Sequence, residues 1–194
     1  MMYDRDLGSA LLAVARRYPN RPALWARGQR LTYSELFDRA GRIAATMRGA
    51  GVSAGERVAI LSHRTSTAYV GILAALLNGC TYVPLNSRFP VERNGTMLRA
   101  SKASVVIADD RCAVDLNRMW EGMDTVPLVV TPESDRVVVK DRQHISAADL
   151  IEPPSDPDAF VAGLHGEQLA YILFTSGTTG APKGVAISHA NVAA

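Results

Sequence analysis

The residues from Thr175 to Lys183 have the types and spacing of a loop that binds a chain of phosphates. Almost every side chain is a hydroxyl or is absent, in the order Thr175, Ser176, Gly177, Thr178, Thr179 and Gly180, and Lys183 follows after Ala181 and Pro182. Glycine lets the backbone approach a ligand closely, and successive N–H groups can form an anion-binding concavity. The hydroxyls add donors for phosphate oxygen and ligands for Mg²⁺, and Lys183 adds positive charge. The alternative interpretation is a flexible surface loop of small residues.

The spacing differs from that of two common nucleotide-binding loops. The Walker pattern requires lysine directly after glycine, whereas Ala181 and Pro182 separate Gly180 from Lys183. The dinucleotide pattern G-x-G-x-x-G is also absent from this stretch. Apolar residues before and after the loop predict a strand–loop–strand unit whose two strands are buried.

The composition is that of an ordinary globular domain. The chain has 194 residues, is 47% hydrophobic and 21% charged, and has a formal net charge of +2; this is enough for one α/β domain with a sizeable core. The near-neutral balance argues against nucleic acid as the main partner, and no apolar run approaches the length of a membrane span. The N-terminal sequence is charged early and has no long apolar core, so we do not expect a secretory signal there. Cys80 and Cys112 match no C-x-x-C spacing, so we expect free thiols and a cytoplasmic location.

Helical spacing of apolar residues recurs along the chain. It predicts helices over residues 7–18, 36–47, 66–77 and 90–100. Thr32 and Glu35 have the form of a capping box before the second helix. Thr65 or Ser66 is expected to cap the third, and Gly95 to interrupt the fourth.

Short apolar runs alternate with these helices. They predict strands over residues 58–61, 81–83, 104–108, 127–130 and 169–175. Pro84 is expected to end the second of them. Hairpins are predicted around Arg27 and Gly28 and over residues 131–140, and residues 152–158 form a loop that leads back into the same sheet. The predicted fold is therefore α/β, a mainly parallel sheet flanked by helices.

Four stretches together resemble the adenylate-forming (AMP-binding) superfamily, which includes acyl-CoA synthetases and the adenylation domains of nonribosomal peptide synthetases. They are TSGTTGAPKGV (175–185), LTYSEL (31–36), GERVAIL (55–61) and GCTYVPLNSRFPVER (79–93). The resemblance is collinear over nearly the whole chain. It implies that residues 1–194 are part of the N-terminal portion of the family's large subdomain. Asn86 departs from the aspartate usual in peptide synthetases and is more like the acyl-CoA synthetases.

The resemblance also implies a reaction. A carboxylic or amino acid attacks the α-phosphorus of ATP, with Mg²⁺, to give an acyl-adenylate and pyrophosphate. Coenzyme A or the phosphopantetheine of a carrier protein then takes the acyl group. Residues 175–180 would hold the β- and γ-phosphates, and Lys183 would balance their charge.

In relatives the adenine contacts, the acid pocket and the lid with its catalytic lysine come later in the chain, so no catalytic residue is assigned here. We expect the 194 residues alone to be inactive, and the surface that the missing C-terminal part would cover to favour self-association. A non-catalytic nucleotide-binding or protein-docking module of the same fold is the alternative. An unrelated NTPase or kinase is the third hypothesis, and it is disfavoured because this sequence has neither a Walker lysine nor an acidic Mg²⁺-binding motif.

Other candidate sites are weak. No metal-ligand spacing joins the histidines to one another or to the two cysteines; they are His63, His144, His165 and His189. His189 follows the phosphate loop and is expected to line a substrate pocket, to cap a helix or to lie at the surface. The adjacent Asp109 and Asp110 are interpreted as a turn rather than an acid–base pair.

Overall fold

The computed structural model describes residues 6–121, 123, 125–135, 143–161, 163–176 and 182–193. Within these ranges a seven-stranded sheet is covered on both faces by helices, and a separate two-stranded hairpin lies near the N-terminus. This confirms the predicted α/β class with a mainly parallel sheet.

The elements alternate as the sequence predicts. The strands are β1 Pro22–Ala26, β2 Gln29–Thr32, β3 Arg57–Ser62, β4 Thr81–Asn86, β5 Val105–Ala108, β6 Leu128–Val130, β7 His144–Ile145, β8 Leu169–Ser176 and β9 Pro182–Ser188. The helices are α1 Leu7–Arg17, α2 Tyr33–Gly49, α3 Ser66–Leu77, α4 Val91–Ser101, α5 Asp110–Ala113, α6 Leu116–Met119, α7 Asp158–Val161 and α8 His189–Ala193, with a 3₁₀ turn at Ala147–Asp149. The hairpin predicted over residues 131–140 falls partly outside the described residues.

The strand order in the large sheet is β7-β6-β5-β3-β4-β8-β9, and every neighbouring pair is parallel except β8 and β9. After β3 the chain moves to β4 on one side, and after β4 it crosses to β5 on the other side of β3. The connections after β3 and β5 therefore leave in opposite directions. Such a topological switch point opens a crevice at the carboxyl ends of the strands.

Alternate side chains of the central strands feed two separate cores. Val58 and Ile60 of β3 pack with α2 and α3 on one face. Ala59 and Leu61 pack with α4, α5 and α6 on the other. Helices cover both faces of the sheet at β3 and β5, so the side chains on both faces of these strands are buried. The two strands are therefore continuous apolar runs rather than alternating apolar and polar residues.

Local capping follows the sequence at one helix and departs from it at another. The Thr32 hydroxyl accepts from the Glu35 N–H at 3.3 Å, and the Glu35 carboxylate accepts from the Thr32 N–H at 2.8 Å, which is the predicted capping box. Thr65 stands at the N-cap of α3 but makes no side-chain cap bond. Its hydroxyl instead lies 2.8 Å from that of Ser62.

Two predicted interruptions are wrong. β4 continues through Pro84 to Asn86, because its pairing with β3 extends over the whole strand while its pairing with β8 is confined to Tyr82 and Tyr171. Proline has no backbone N–H, so it is tolerated where a strand needs backbone hydrogen bonds to a neighbouring strand on one side only. α4 also continues through Gly95 without a break. The absence of a side chain at this position lets the backbone of α6 lie close to α4.

The predicted burial of the two strands around the phosphate loop holds only in part. Ala170 of β8 is buried, and Ile172 and Phe174 pack against the core, but β9 is mostly exposed. Leu173 of β8 and Val185 of β9 lie opposite each other in the hairpin, yet they are 44% and 46% exposed. The hairpin stands at the end of the sheet, and these two side chains lie on its open face. This apolar surface is consistent with self-association, which remains a prediction.

No helix within the described part of the chain combines the length and apolarity needed to cross a membrane.

Candidate functional site

Strands β8 and β9 form the antiparallel hairpin that positions the predicted phosphate loop. Their register pairs Thr175 with Lys183 and Ser176 with Pro182, so residues 177–181 connect the two strands. Thr175 and Lys183 are exposed, and the Thr175 hydroxyl donates to the Lys183 carbonyl at 3.5 Å. Outside the described residues lie Gly177, Thr178, Thr179 and Gly180, and also the side chain of Ser176. Phosphate binding by this loop therefore stays a prediction.

The hairpin brings that loop to the carboxyl edge of the parallel sheet. β8 runs parallel to β4 through the pair Tyr82 and Tyr171. Its C-terminal end therefore lies at the same edge as the ends of β3, β4 and β5. The two predicted strands are present and form a hairpin. Ligands of open α/β sheets bind outside this edge, so the loop begins where a ligand is expected to bind.

A cavity of about 390 Å³ opens at this edge beside the hairpin. Its lining comes from the β1–β2 turn and from segments near the ends of β3, β4 and β8: Arg27, Ser62, His63, Arg64, Pro84, Leu85, Asn86, Ser87, Arg88, Phe89, Met97, Leu173 and Phe174. Three arginines and a histidine contribute, and no aspartate or glutamate among the described residues lines it. A cleft lined by one sign of charge concentrates ligands of the opposite sign. The cavity is therefore suited to an anion.

Backbone geometry holds two of these arginines at the cavity. Arg27 and Gly28 have φ of 45° and 82° in the β1–β2 turn, as a tight hairpin with two left-handed residues requires. Arg64, the second residue after β3, has φ of 58°, a conformation that costs a non-glycine residue about 1 kcal/mol or more. The sequence predicted the first turn, but neither arginine was predicted as a site residue.

A second group of polar side chains meets at the switch point between β3 and β5. It consists of His63, Asp109 and Cys112, whose potential ligand atoms all lie within 4.8 Å of one another. The His63 Nδ1 atom is 3.1 Å from the Cys112 Sγ atom and 3.4 Å from the Asp109 Oδ1 atom. The spacing of residues in the sequence did not indicate this group, because the histidines are scattered along the chain. The signal present in the sequence was that His63 and Asp109 each closely follow a predicted strand, whereas the adjacency of these two strands is known only from the fold.

Asp109 is the centre of this group and caps α5. Its Oδ1 atom accepts from the Cys112 N–H at 3.0 Å, and its Oδ2 atom accepts from the His63 N–H at 2.6 Å and the Ser62 hydroxyl at 3.0 Å. Burial acts to raise the pKa of Asp109, but the backbone bonds from His63 and Cys112, with those from the Cys112 and Ser62 side chains, lower it overall. The residue is thus a helix cap rather than an exposed turn, and Asp110 beside it is exposed.

The two cysteines are free, as predicted, and both are buried. Burial raises the pKa of the Cys80 thiol to about 11. Burial, followed by the Asp109 carboxylate, also raises the pKa of Cys112. Without a compensating cation both thiols therefore stay protonated at neutral pH, which disfavours a nucleophilic role.

His189 neither lines the cavity nor lies at the surface. It begins α8, is 1% exposed, and its Nδ1 atom accepts from the Leu7 N–H at 3.0 Å. Because Leu7 opens α1, this bond ties the first helix to the end of β9. The acceptor role requires the neutral ring.

Acid should weaken this tie. Burial lowers the pKa of His189, with the Asp6 carboxylate opposing and His165 adding to the effect. As the pH falls, the unfolded chain therefore binds this proton before the folded chain does. The contribution of His189 to the free energy of unfolding is fully present above the ordinary pKa of 6.5 and decreases as the pH falls below that value. Urea unfolding between pH 7 and about 5 should show this loss, and His189→Gln should reduce it. His144, whose pKa burial also lowers, accounts for a remainder. An undiminished loss in His189→Gln would contradict the assignment.

The comparisons of this chain with known proteins all indicate one family. The sequence profile described as AMP-binding enzyme matches residues 11–194. Tyrocidine synthase 3 from Brevibacillus parabrevis is 35% identical over 189 residues, which is 97% of this chain and 3% of that synthase. The chain thus spans a small part of this curated relative.

Solved structures give the same answer for the fold. A protein described as a long-chain-fatty-acid CoA ligase from Rhodopseudomonas palustris superposes with a TM-score of 0.77 at 26% identity, covering 97% of this chain and 46% of that one. The nonribosomal peptide synthetase FmoA3 with AMPPNP bound superposes with a TM-score of 0.75 at 26% identity, covering 100% of this chain and 18% of that one.

Proposed function

Because the chain belongs to the AMP-binding enzyme family, we propose that it forms the phosphate-binding part of an ATP-dependent enzyme that activates a carboxylic or amino acid as its adenylate. The observation that carries the proposal is the position of the β8–β9 hairpin. The hairpin ends at the carboxyl edge of the sheet, where β8 lines a cavity together with Arg27, Arg64 and Arg88. AMPPNP bound to the structural relative FmoA3 supports a nucleotide as the ligand.

The proposed roles follow the chemistry of the loop. Backbone N–H groups and hydroxyls would hold the β- and γ-phosphates, from Thr175, Ser176, Gly177, Thr178, Thr179 and Gly180. Lys183, opposite Thr175 in the hairpin, would offset their charge. Phosphoryl transfer depends mainly on positioning and charge stabilisation, so this loop would orient the departing pyrophosphate rather than supply a general acid or base.

Magnesium fits this arrangement as a companion of the nucleotide. No carboxylate among the described residues lines the cavity, so the protein offers few of the oxygen ligands that Mg²⁺ prefers there. Loop hydroxyls and phosphate oxygens would hold the ion, which would neutralise phosphate charge.

The substrates remain a choice between classes. The relatives include a peptide synthetase and a protein described as a fatty-acid CoA ligase. Both an amino acid passed to a carrier-protein phosphopantetheine and another carboxylic acid passed to coenzyme A are compatible with this portion. Asn86, whose carbonyl accepts from the Asn94 amide at 2.9 Å, lies in the motif where the two classes differ.

Residues 1–194 would be part of the N-terminal portion of the large subdomain, with the acid pocket and the lid supplied by further sequence. The decisive experiment joins the chain to the remainder of an adenylation domain and measures ATP–pyrophosphate exchange with a broad panel of acids. We expect exchange that depends on one class of acid. A folded protein that exchanges with none of the acids contradicts the proposal.

Lys183→Ala should weaken binding of MgATP by about tenfold in that protein, because a charge-assisted contact to phosphate contributes about 1.5 kcal/mol or more. Isothermal titration calorimetry measures the change. Lys102→Gln is the matched control, since Lys102 precedes β5 and so lies at the opposite edge of the sheet. Equal MgATP affinities of the two variants would show that Lys183 does not contribute to the site. Tight MgATP binding by residues 1–194 alone would favour the nucleotide-binding module.

A further inference from the structure

The cluster of His63, Asp109 and Cys112 at the switch point has the composition of a metal site. It joins a thiol, an imidazole and a carboxylate, the three side-chain types that bind Zn²⁺. The segments that carry them follow β3 and β5, which are adjacent and parallel. The strand order, rather than the spacing in the sequence, therefore assembles the group.

The distances within the cluster are close to those of a bound ion. A tetrahedral Zn²⁺ with a Zn–N distance of about 2.0 Å and a Zn–S distance of about 2.3 Å holds the nitrogen and sulfur about 3.5 Å apart, and its nitrogen and oxygen ligands about 3.4 Å apart. The His63 Nδ1 atom lies 3.1 Å from the Cys112 Sγ atom and 3.4 Å from the Asp109 Oδ1 atom. The remaining pair, the Cys112 Sγ atom and an Asp109 carboxylate oxygen, lies within 4.8 Å, so side-chain movements toward a common centre would give this geometry.

The Asp109 carboxylate is held in place for such a role. Its Oδ2 atom accepts from the His63 N–H and the Ser62 hydroxyl. Its Oδ1 atom accepts from the Cys112 N–H at 3.0 Å and lies 3.4 Å from the His63 Nδ1 atom, so this oxygen faces the other candidate ligands. Bonds to the outer oxygen orient a ligating carboxylate and support metal affinity.

Access to the cluster is through His63. Asp109 and Cys112 are 6% and 3% exposed, whereas the His63 side chain is 33% exposed and lines the cavity at the carboxyl edge. The exposed part of His63 therefore opens the cluster to solvent, and a water molecule from that side could take the fourth position. The thiolate would obtain from the cation the compensating charge that a buried thiol lacks.

We propose that His63, Asp109 and Cys112 bind a divalent cation of the Zn²⁺ class through Nδ1, a carboxylate oxygen and Sγ. The thiolate and imidazole select this class over Mg²⁺ and Ca²⁺, which prefer oxygen ligands alone. The site is separate from the phosphate loop and does not depend on nucleotide binding.

The test is a Co²⁺ titration of the 194-residue chain without nucleotide, followed by displacement with Zn²⁺. We expect a thiolate-to-cobalt charge-transfer band and strong visible absorption typical of tetrahedral Co²⁺, both lost when Zn²⁺ is added. Cys112→Ser should remove the charge-transfer band. Cys80→Ser is the matched control, because these are the two cysteines of the chain, and it should keep the band.

His63→Ala tests the same site through a partly exposed residue, so a folded variant is expected. It should bind Zn²⁺ at least about tenfold more weakly, since loss of even a supporting residue costs about 10- to 100-fold. Circular dichroism verifies that each variant is folded. A wild-type chain without the charge-transfer band, a Cys112→Ser variant that keeps it, or unchanged Zn²⁺ affinity in His63→Ala overturns the proposal.

Discussion

Replacing Gly95 by valine should lower the free energy of unfolding by about 3 kcal/mol, the upper part of the range for overpacking a well-packed core. A Cβ atom at this position in α4 would lie 2.5 Å from the Met119 carbonyl oxygen and 3.3 Å from its carbonyl carbon. Both atoms belong to the backbone of α6, so no side-chain rotation relieves the clash. The two helices would have to separate, and the core between them and the sheet would open.

Urea denaturation followed by circular dichroism measures this change. Gly49→Ala in α2 is the matched control, because the nearest atom to a Cβ there is the Ile151 Cδ1 atom at 3.9 Å. Alanine is the better helix former by about 1 kcal/mol in a helix interior, so this variant should be as stable as the wild type or slightly more so. If Gly95→Val were as stable as Gly49→Ala, the close approach of α4 and α6 would be wrong.

Asp109→Ala should also destabilise the chain by about 3 kcal/mol, from the loss of a helix cap and the loss of partners for buried donors. The His63 N–H, the Cys112 N–H and the Ser62 hydroxyl all donate to this carboxylate. These donors belong to the loops after β3 and β5. Removal of the carboxylate therefore loosens both sides of the switch point at once.

The neighbouring Asp110 gives a matched control for this prediction. It is exposed, whereas Asp109 is buried, so Asp110→Ala should change stability by no more than about 0.5 kcal/mol. Asp109→Asn keeps one acceptor oxygen and should be intermediate. Chemical denaturation of the three variants at neutral pH measures the order. Equal midpoints for Asp109→Ala and Asp110→Ala would show that the bonds to Asp109 contribute little.

The sequence was most informative where local rules govern the chain. Helix α2 begins at its capping box, and β3 and β5 follow apolar runs of the length expected for buried parallel strands. It was misleading where one residue serves a distant partner. Pro84 lies within a strand because the ladder on its other side has ended, and Gly95 lies within a helix because α6 packs against it.

The candidate sites differ in the same way. The phosphate loop is contiguous, so its chemistry could be recognised in residues 175–183, and the structure adds the edge of the sheet from which it starts. The arginine-lined cavity and the cluster of His63, Asp109 and Cys112 combine residues that are far apart in the chain. Spacing in the sequence carries no information about such pairs until the strand order is known.

By itself the sequence determined the element types, the α/β class, the family resemblance and the loop proposed to hold phosphate, because each depends on neighbouring residues and their periodicity. The tertiary structure decided which loops share the carboxyl edge, which histidine is buried and which strands stay exposed. The physical reason is that the crossover from β4 to β5 places β5 beside β3. That single adjacency brings Asp109 and Cys112 to His63 at the carboxyl edge of the sheet.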